Sequence, residues 1–151
     1  MATGIPTTET TLILRRTFAA PQSKVFHAWT DPRHLKQWFA PSDDYEVPFA
    51  EVDLRVGGKY RIGMKPADKE ETYIVMGEYR EIDAPRRLVY SWAFEGDEDS
   101  GETVVTVEFR TVDAGTELIL KHEFFPNVDV RQKHEEGWTG CLDRFARLLK
   151  S

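Results

Sequence analysis

The stretch Gly137-Trp138-Thr139-Gly140-Cys141-Leu142-Asp143-Arg144-Phe145-Ala146-Arg147-Leu148-Leu149 decides the fold. Its apolar residues Trp138, Cys141, Leu142, Phe145, Leu148 and Leu149 recur at spacings of three and four, and Asp143, Arg144 and Arg147 fall opposite. That period describes a helix with one dry face. Pro126-Asn127 stops the segment before it and offers an N-cap. A dry helical face of this length needs an apolar surface to cover.

Moving towards the N-terminus, the periodicity changes to two. Leu118, Leu120, His122 and Phe124 alternate with polar residues, as do Val105, Val107 and Phe109 with Thr106, Glu108 and Arg110. Leu88, Tyr90, Trp92 and Phe94 continue the pattern. The turns between them are Asp113-Ala114-Gly115, the acidic Glu95–Gly101 and Asp83-Ala84-Pro85, and Thr72–Ile82 reads as a long strand. Gly57-Gly58 between Val52–Val56 and Lys59–Lys65 predicts a two-residue hairpin. Thr10–Phe18 forms a first strand. Two short helices follow it, one opened by Pro21 with Val25, Phe26 and Trp29 inward, the next capped by Thr30-Asp31-Pro32 with Leu35, Trp38 and Phe39 inward. The expected fold is α+β: a curved antiparallel sheet of six to seven strands wrapped around the long C-terminal helix. One domain over 10–150 is expected, with 1–9 as a flexible lead-in.

Composition narrows the setting. The 151 residues suit one domain, and no apolar run approaches the ~20 residues of a membrane span. Met1–Thr11 has neither the basic nor the apolar segment of a signal peptide. The 26 acidic and 20 basic residues leave a formal charge of −6, which opposes nucleic acid and anionic membrane surfaces as partners. A single cysteine excludes an internal disulfide and suits a reducing compartment, so a cytoplasmic location is expected.

The candidate site residues lie on the two facing elements. Tyr60, Tyr90, Trp92, Phe94, Phe109, Trp138 and Phe145, joined by Trp38, Met64 and Met76, either fill the core or line a pocket. His122 shares its strand face with Leu118 and Leu120; it is a polar anchor, a proton-transfer group or a histidine bonded inside a packed core. His134 lies one turn before Trp138, and His134-Glu135-Glu136 lacks the second histidine of a zinc-protease motif. His27 and His34 adjoin helix-capping residues and read as surface, so no metal site is expected. Cys141 sits among Trp138, Leu142 and Phe145 and reads as a buried hydrophobe. Gly137 and Gly140 each cost the helix about 1 kcal/mol relative to alanine; they make room for a ligand or allow close backbone approach. Glu51, Asp53, Glu78, Glu108 and Glu123 alternate outwards, and no carboxylate pair or nucleophile–base set stands out. Neither a catalytic residue nor a cofactor can be named.

The element order, together with Pro21…Val25-Phe26…Trp29-Thr30-Asp31-Pro32…Trp38-Phe39, resembles the START-like helix-grip superfamily. Gly57-Gly58-Lys59-Tyr60, the run Gly77…Ile82…Pro85-Arg86-Arg87-Leu88-Val89-Tyr90-Ser91-Trp92, and Gly137-Trp138 before Leu142 sharpen this. They are similar to the bacterial branch related to the C-terminal domain of the Aha-type activator of the heat-shock chaperone ATPase. The resemblance covers Thr10 to Leu149 and implies a cavity between sheet and helix. The superfamily hosts lipid carriers, cyclases and chaperone regulators. The separate N-terminal domain of the full activator is not among these residues, nor is a Cys/His set for the iron centres of ring-hydroxylating relatives.

The expected function is binding of a small apolar or aromatic molecule, as a non-catalytic carrier, sensor or stress-related protein. The alternatives are a chaperone-interacting regulator and a cyclase or dehydratase using His122. An exposed apolar patch at Trp38-Phe39 or Phe124-Phe125 would mark a homodimer face.

Overall fold

The computed structural model describes residues 8–97 and 101–150. Strand β1 (Thr11–Phe18) leads into helices α1 (Gln22–Thr30) and α2 (Pro32–Trp38). Seven strands follow: β2 (Tyr45–Glu46), β3 (Ala50–Val52), β4 (Lys59–Pro66), β5 (Tyr73–Asp83), β6 (Arg87–Phe94), β7 (Thr103–Val112) and β8 (Gly115–Glu123). Helix α3 (Val128–Lys150) closes the chain. Most of the expected lead-in, and the middle of the acidic turn, lie outside the described residues.

All strand pairs are antiparallel, in the order β1-β8-β7-β6-β5-β4-β2, with β3 also on β4. The sheet therefore has eight strands, more than alternation predicts. The two-residue β2 pairs Tyr45 with Pro66 and is too short to carry a periodic signal. Where β6, β7 and β8 pair, Tyr90 faces Val105 and Val105 faces His122, so like residues share the inner face. A bulge between Tyr79 and Glu81 bends β5.

Asp31 ends α1 and caps α2, its side chain accepting from the Arg33 amide at 2.8 Å, with Pro32 in the first turn. Asn127 caps α3 by accepting from the Val130 amide at 3.0 Å. Trp138, Cys141, Leu142, Phe145 and Leu149 are the buried face of α3, and Leu148 packs at its margin. The four tryptophans, Trp138 of α3 among them, form one row: Trp38–Trp29 at 4.6 Å, Trp29–Trp138 at 5.9 Å and Trp138–Trp92 at 5.1 Å between centroids. Such pairs contribute about 0.5–1.5 kcal/mol each beyond area burial.

Three sequence expectations need correction. The Gly57-Gly58 hairpin is instead a six-residue connection, 53–58, between β3 and β4. The Gly57 amide donates to Tyr79 O and the Tyr79 amide to Gly58 O, at 2.8 and 2.9 Å, so the glycines pair with β5. Leu54 and Val56, expected in a strand, are exposed. Phe124 does not continue the inner face: β8 ends at Glu123, and Phe124 adopts φ 74° and is 65% exposed. That turn carries Phe125 inward. Of the expected apolar patch, Trp38, Phe39 and Phe125 are buried and Phe124 is the exposed member.

Candidate functional site

A pocket of about 300 Å³ opens between the first half of α3 and the ends of β4, β5 and β6. From α3 come Lys133, His134, Gly137, Trp138 and Cys141, one face of the helix over two turns. The sheet supplies Met64, Tyr73, Trp92 and Phe94, which alternate along their strands onto the concave side. Phe39, Pro41 and Tyr45, from the segment after α2, form the remaining wall. The lining is aromatic and apolar, with few polar groups, the composition expected of a small-molecule site.

The two helix glycines have different reasons. At Gly137 an added Cβ would meet nothing within 4 Å, so the missing side chain is open pocket. At Gly140 a Cβ would run into the Pro41 carbonyl, so this glycine lets the α3 backbone touch the segment after α2. Arg144 holds that segment from the same side. Its guanidinium donates to Gln37 O at 3.0 Å, to Trp38 O and Ser42 O at 3.3 Å, and to Asp43 Oδ1 at 2.7 Å. It thereby satisfies carbonyls at the end of α2, which lack helical partners. Arg147 adds a second contact to Asp43.

Behind the pocket lies a buried polar chain. Trp138 Nε1 donates to His122 Nδ1 at 3.1 Å, and His122 Nε2 sits 2.7 Å from Thr103 Oγ1. Thr103 donates to Trp92 O at 3.2 Å. An indole N–H only donates, so Nδ1 accepts and His122 is the neutral tautomer with its proton on Nε2. Burial, reinforced by nearby His134, drives its pKa well below the ordinary value. Both ring nitrogens are thus engaged, and His122 does not line the pocket. His134 does; its Nδ1 donates to Val130 O at 2.9 Å, and burial lowers its pKa. Phe125 packs on both histidines, at 4.4 and 4.8 Å.

Of the residues chosen from sequence, Met64, Trp92, Phe94, Gly137, Trp138 and Cys141 line the pocket. Trp38, Phe109 and Phe145 are core residues with at most 1% exposure. Tyr60 and Tyr90 enclose a gap of only about 10 Å³, with Tyr60 bonded to Ser91 O and Tyr90 to the Trp29 indole. Met76 lies on the outer face because it has the opposite parity to Tyr73 and Val75. Cys141 is a pocket wall without nucleophilic character, since burial pushes its thiol up to about 12. Phe39, Pro41, Tyr45, Tyr73 and Lys133 were not among the chosen residues. Tyr73 alone carried a signal, its parity with Val75; the others depend on how the segment after α2 and the first turns of α3 are folded back.

The chain as a whole is similar to known proteins. Residues 19–150 match the family model described as "Activator of Hsp90 ATPase homolog 1-like protein". A crystal structure of a Chromobacterium violaceum protein is 26% identical over 94% of this chain and 99% of that one, with a TM-score of 0.82. The AHSA1 protein of Silicibacter pomeroyi is 27% identical over 93% and 97%, with a TM-score of 0.81. An AHSA1-like protein of Aeromonas hydrophila is 25% identical over 93% and 92%, with a TM-score of 0.77. No curated protein matches the sequence. With a helix-grip fold along its described length and a family match over 19–150, the chain belongs to the Activator of Hsp90 ATPase homolog 1-like family.

Proposed function

We propose that the chain binds a small, partly aromatic apolar molecule in this pocket and acts as its carrier or sensor without transforming it. The observation that supports this reading best is a volume of about 300 Å³ walled by the rings of Phe39, Tyr73, Trp92, Phe94 and Trp138. Gly137 withholds a side chain from that space. The volume is at the lower end of ligand sites, about 300–1,000 Å³, so the cargo is a molecule of one or two rings. The buried indole N–H of Trp92 has no partner among the described residues. Leaving such a donor unmet costs about 1–3 kcal/mol, which favours a ligand with a carbonyl or ring-nitrogen acceptor.

Trp92 and Trp138 make the binding test intrinsic. Titration with one- and two-ring aromatic ketones and with short fatty acids is expected to quench tryptophan fluorescence saturably and raise the melting temperature. Gly137→Leu fills the pocket and abolishes both effects. An unresponsive wild type, or a Gly137→Leu variant that responds equally, refutes the reading.

The family description supports a second reading, contact with a heat-shock chaperone in the cytoplasm. Stimulation of the endogenous chaperone's ATPase by the purified chain is its test. Proton transfer by His122 finds less support, because both of its nitrogens are already bonded. Among the described residues no helix is long and apolar enough to cross a membrane.

A further inference from the structure

We infer that His27, Asp31 and His34 form a binding site for a divalent transition-metal ion of the zinc, nickel or cobalt type, on the opposite side of α2 from its pocket-facing end. His27 lies in the last turn of α1, Asp31 between the helices, and His34 in the first turn of α2. The sequence spacing is four and then three, one helical face carried across the α1–α2 junction. Pro32 interrupts the pattern, which hides it from a motif search. None of the three residues lines the apolar pocket.

The donor atoms converge. His27 Nε2 is 3.2 Å from Asp31 Oδ2, and His34 Nδ1 is 3.8 Å from Asp31 Oδ1. All three donor atoms lie within 4.8 Å of one another. Ligands on a tetrahedral ion with bonds of about 2.0–2.1 Å stand about 3.3–3.4 Å apart. The remaining contraction is small, and His27, whose side chain is 60% exposed, can rotate to supply it.

A second observation is independent of this spacing. His34 Nδ1 is shielded from solvent and has no hydrogen-bond partner among the described residues. An unmet buried nitrogen is costly, and an ion between the two rings, 5.1 Å apart, would meet it. Asp31 already presents an oriented carboxylate: the Arg33 amide donates to its Oδ1 at 2.8 Å and fixes it as the cap of α2. Two imidazoles and one carboxylate select zinc-like ions over magnesium or calcium. Three protein ligands leave a coordination position open to water.

The Arg33 guanidinium also touches both Asp31 oxygens, at 3.4 Å. It competes with the ion for the carboxylate, so removing it strengthens binding.

Calorimetric titration of the untagged full chain with Zn²⁺ at pH 7.5, repeated with Co²⁺ by visible absorption, tests the site. One equivalent is expected to bind. His27→Ala and His34→Ala each weaken binding by at least about tenfold, roughly 1.4 kcal/mol. Asp31→Asn, which keeps an oxygen for the helix cap, weakens it too. Arg33→Ala tightens it severalfold, and His134→Ala leaves it unchanged. Circular dichroism confirms that each variant is folded. Absence of binding by any of these ions overturns the inference. So does full-strength binding in the His27→Ala/His34→Ala double variant, or loss of binding in His134→Ala alone.

Discussion

Trp138 on α3 donates its indole N–H to Nδ1 of His122 on β8, at 3.1 Å, through the centre of the core. The bond ties the long helix to the sheet by a buried directional contact, beside the outer ion pair of Arg16 with Asp143. Trp138→Phe strands the His122 nitrogen, and His122→Phe strands the indole, while Thr103 keeps its bond to Trp92 O. Each stranded group is expected to cost about 1–3 kcal/mol. Urea unfolding of the two single variants and the double variant should return a coupling of at least about 0.5 kcal/mol. Strict additivity would show that the bond contributes nothing.

The same network makes stability depend on pH. His122 and His134 have folded pKa values below the ordinary value of about 6.5. The unfolded chain therefore takes up protons that the folded chain refuses. Their contribution is fully present above about pH 6.5 and is lost as pH falls from there towards the folded values. Each group contributes a slope of at most about 1.4 kcal/mol per pH unit. Denaturation midpoints at pH 7.5, 6 and 5 should fall in that order. His134→Ala should flatten the trend, and an unchanged slope in that variant would contradict the assignment.

Alanine at the two α3 glycines should act with opposite sign. Gly137→Ala gains about 1 kcal/mol of helix propensity and meets no neighbour. Gly140→Ala gains the same propensity but collides with Pro41 backbone, and overpacking costs of about 1–3 kcal/mol outweigh it. Thermal unfolding should therefore show a higher midpoint for the first variant and a lower one for the second.

Arg144 is more than a surface charge. Its side chain is only 14% exposed and joins three carbonyls as well as Asp43. Hydrogen bonds from a charged donor are worth about 1.5–3 kcal/mol, and Arg144→Ala should cost on that order. Arg144→Lys should restore little, because a point charge cannot replace the guanidinium fork. Asp43→Ala, at an exposed position, should cost less than Arg144→Ala in the same denaturation assay. Equal losses would mean that the ion pair alone matters.

Cys141 should resist thiol reagents while the protein is folded. A thiol held near 12 by burial carries almost no thiolate at neutral pH. Modification by a disulfide reagent is expected only at the rate of unfolding, rising steeply in denaturant. Rapid labelling in buffer would show that burial does not outweigh the nearby Arg144 charge in holding the thiol protonated.

Residues 126–149 and the alternating strands were legible in the sequence because helical and strand periods are local properties. His122 pointed inward by parity with Leu118 and Leu120, and Cys141 packed by its place on the α3 stripe. Parity also separates Met64 from Met76, although the two methionines looked equivalent as pocket candidates. Arg144 looked solvent-facing on a helical projection, because nothing local indicates that α2 ends beside it. Phe124 broke the alternation through one backbone torsion, which leaves no trace in hydrophobic pattern.

The sequence by itself determined which face of each element is dry, and hence that a sheet must wrap the helix of Trp138, Leu142 and Phe145. Tertiary structure alone decided which aromatic residues fill the core and which leave it open. That division depends on distances between elements far apart in the chain: Gly140 against Pro41, Arg144 on the end of α2, Tyr60 and Tyr90 closing on one another. Periodicity says that a residue faces inward. Only the packing of opposite walls says whether another atom is there to meet it.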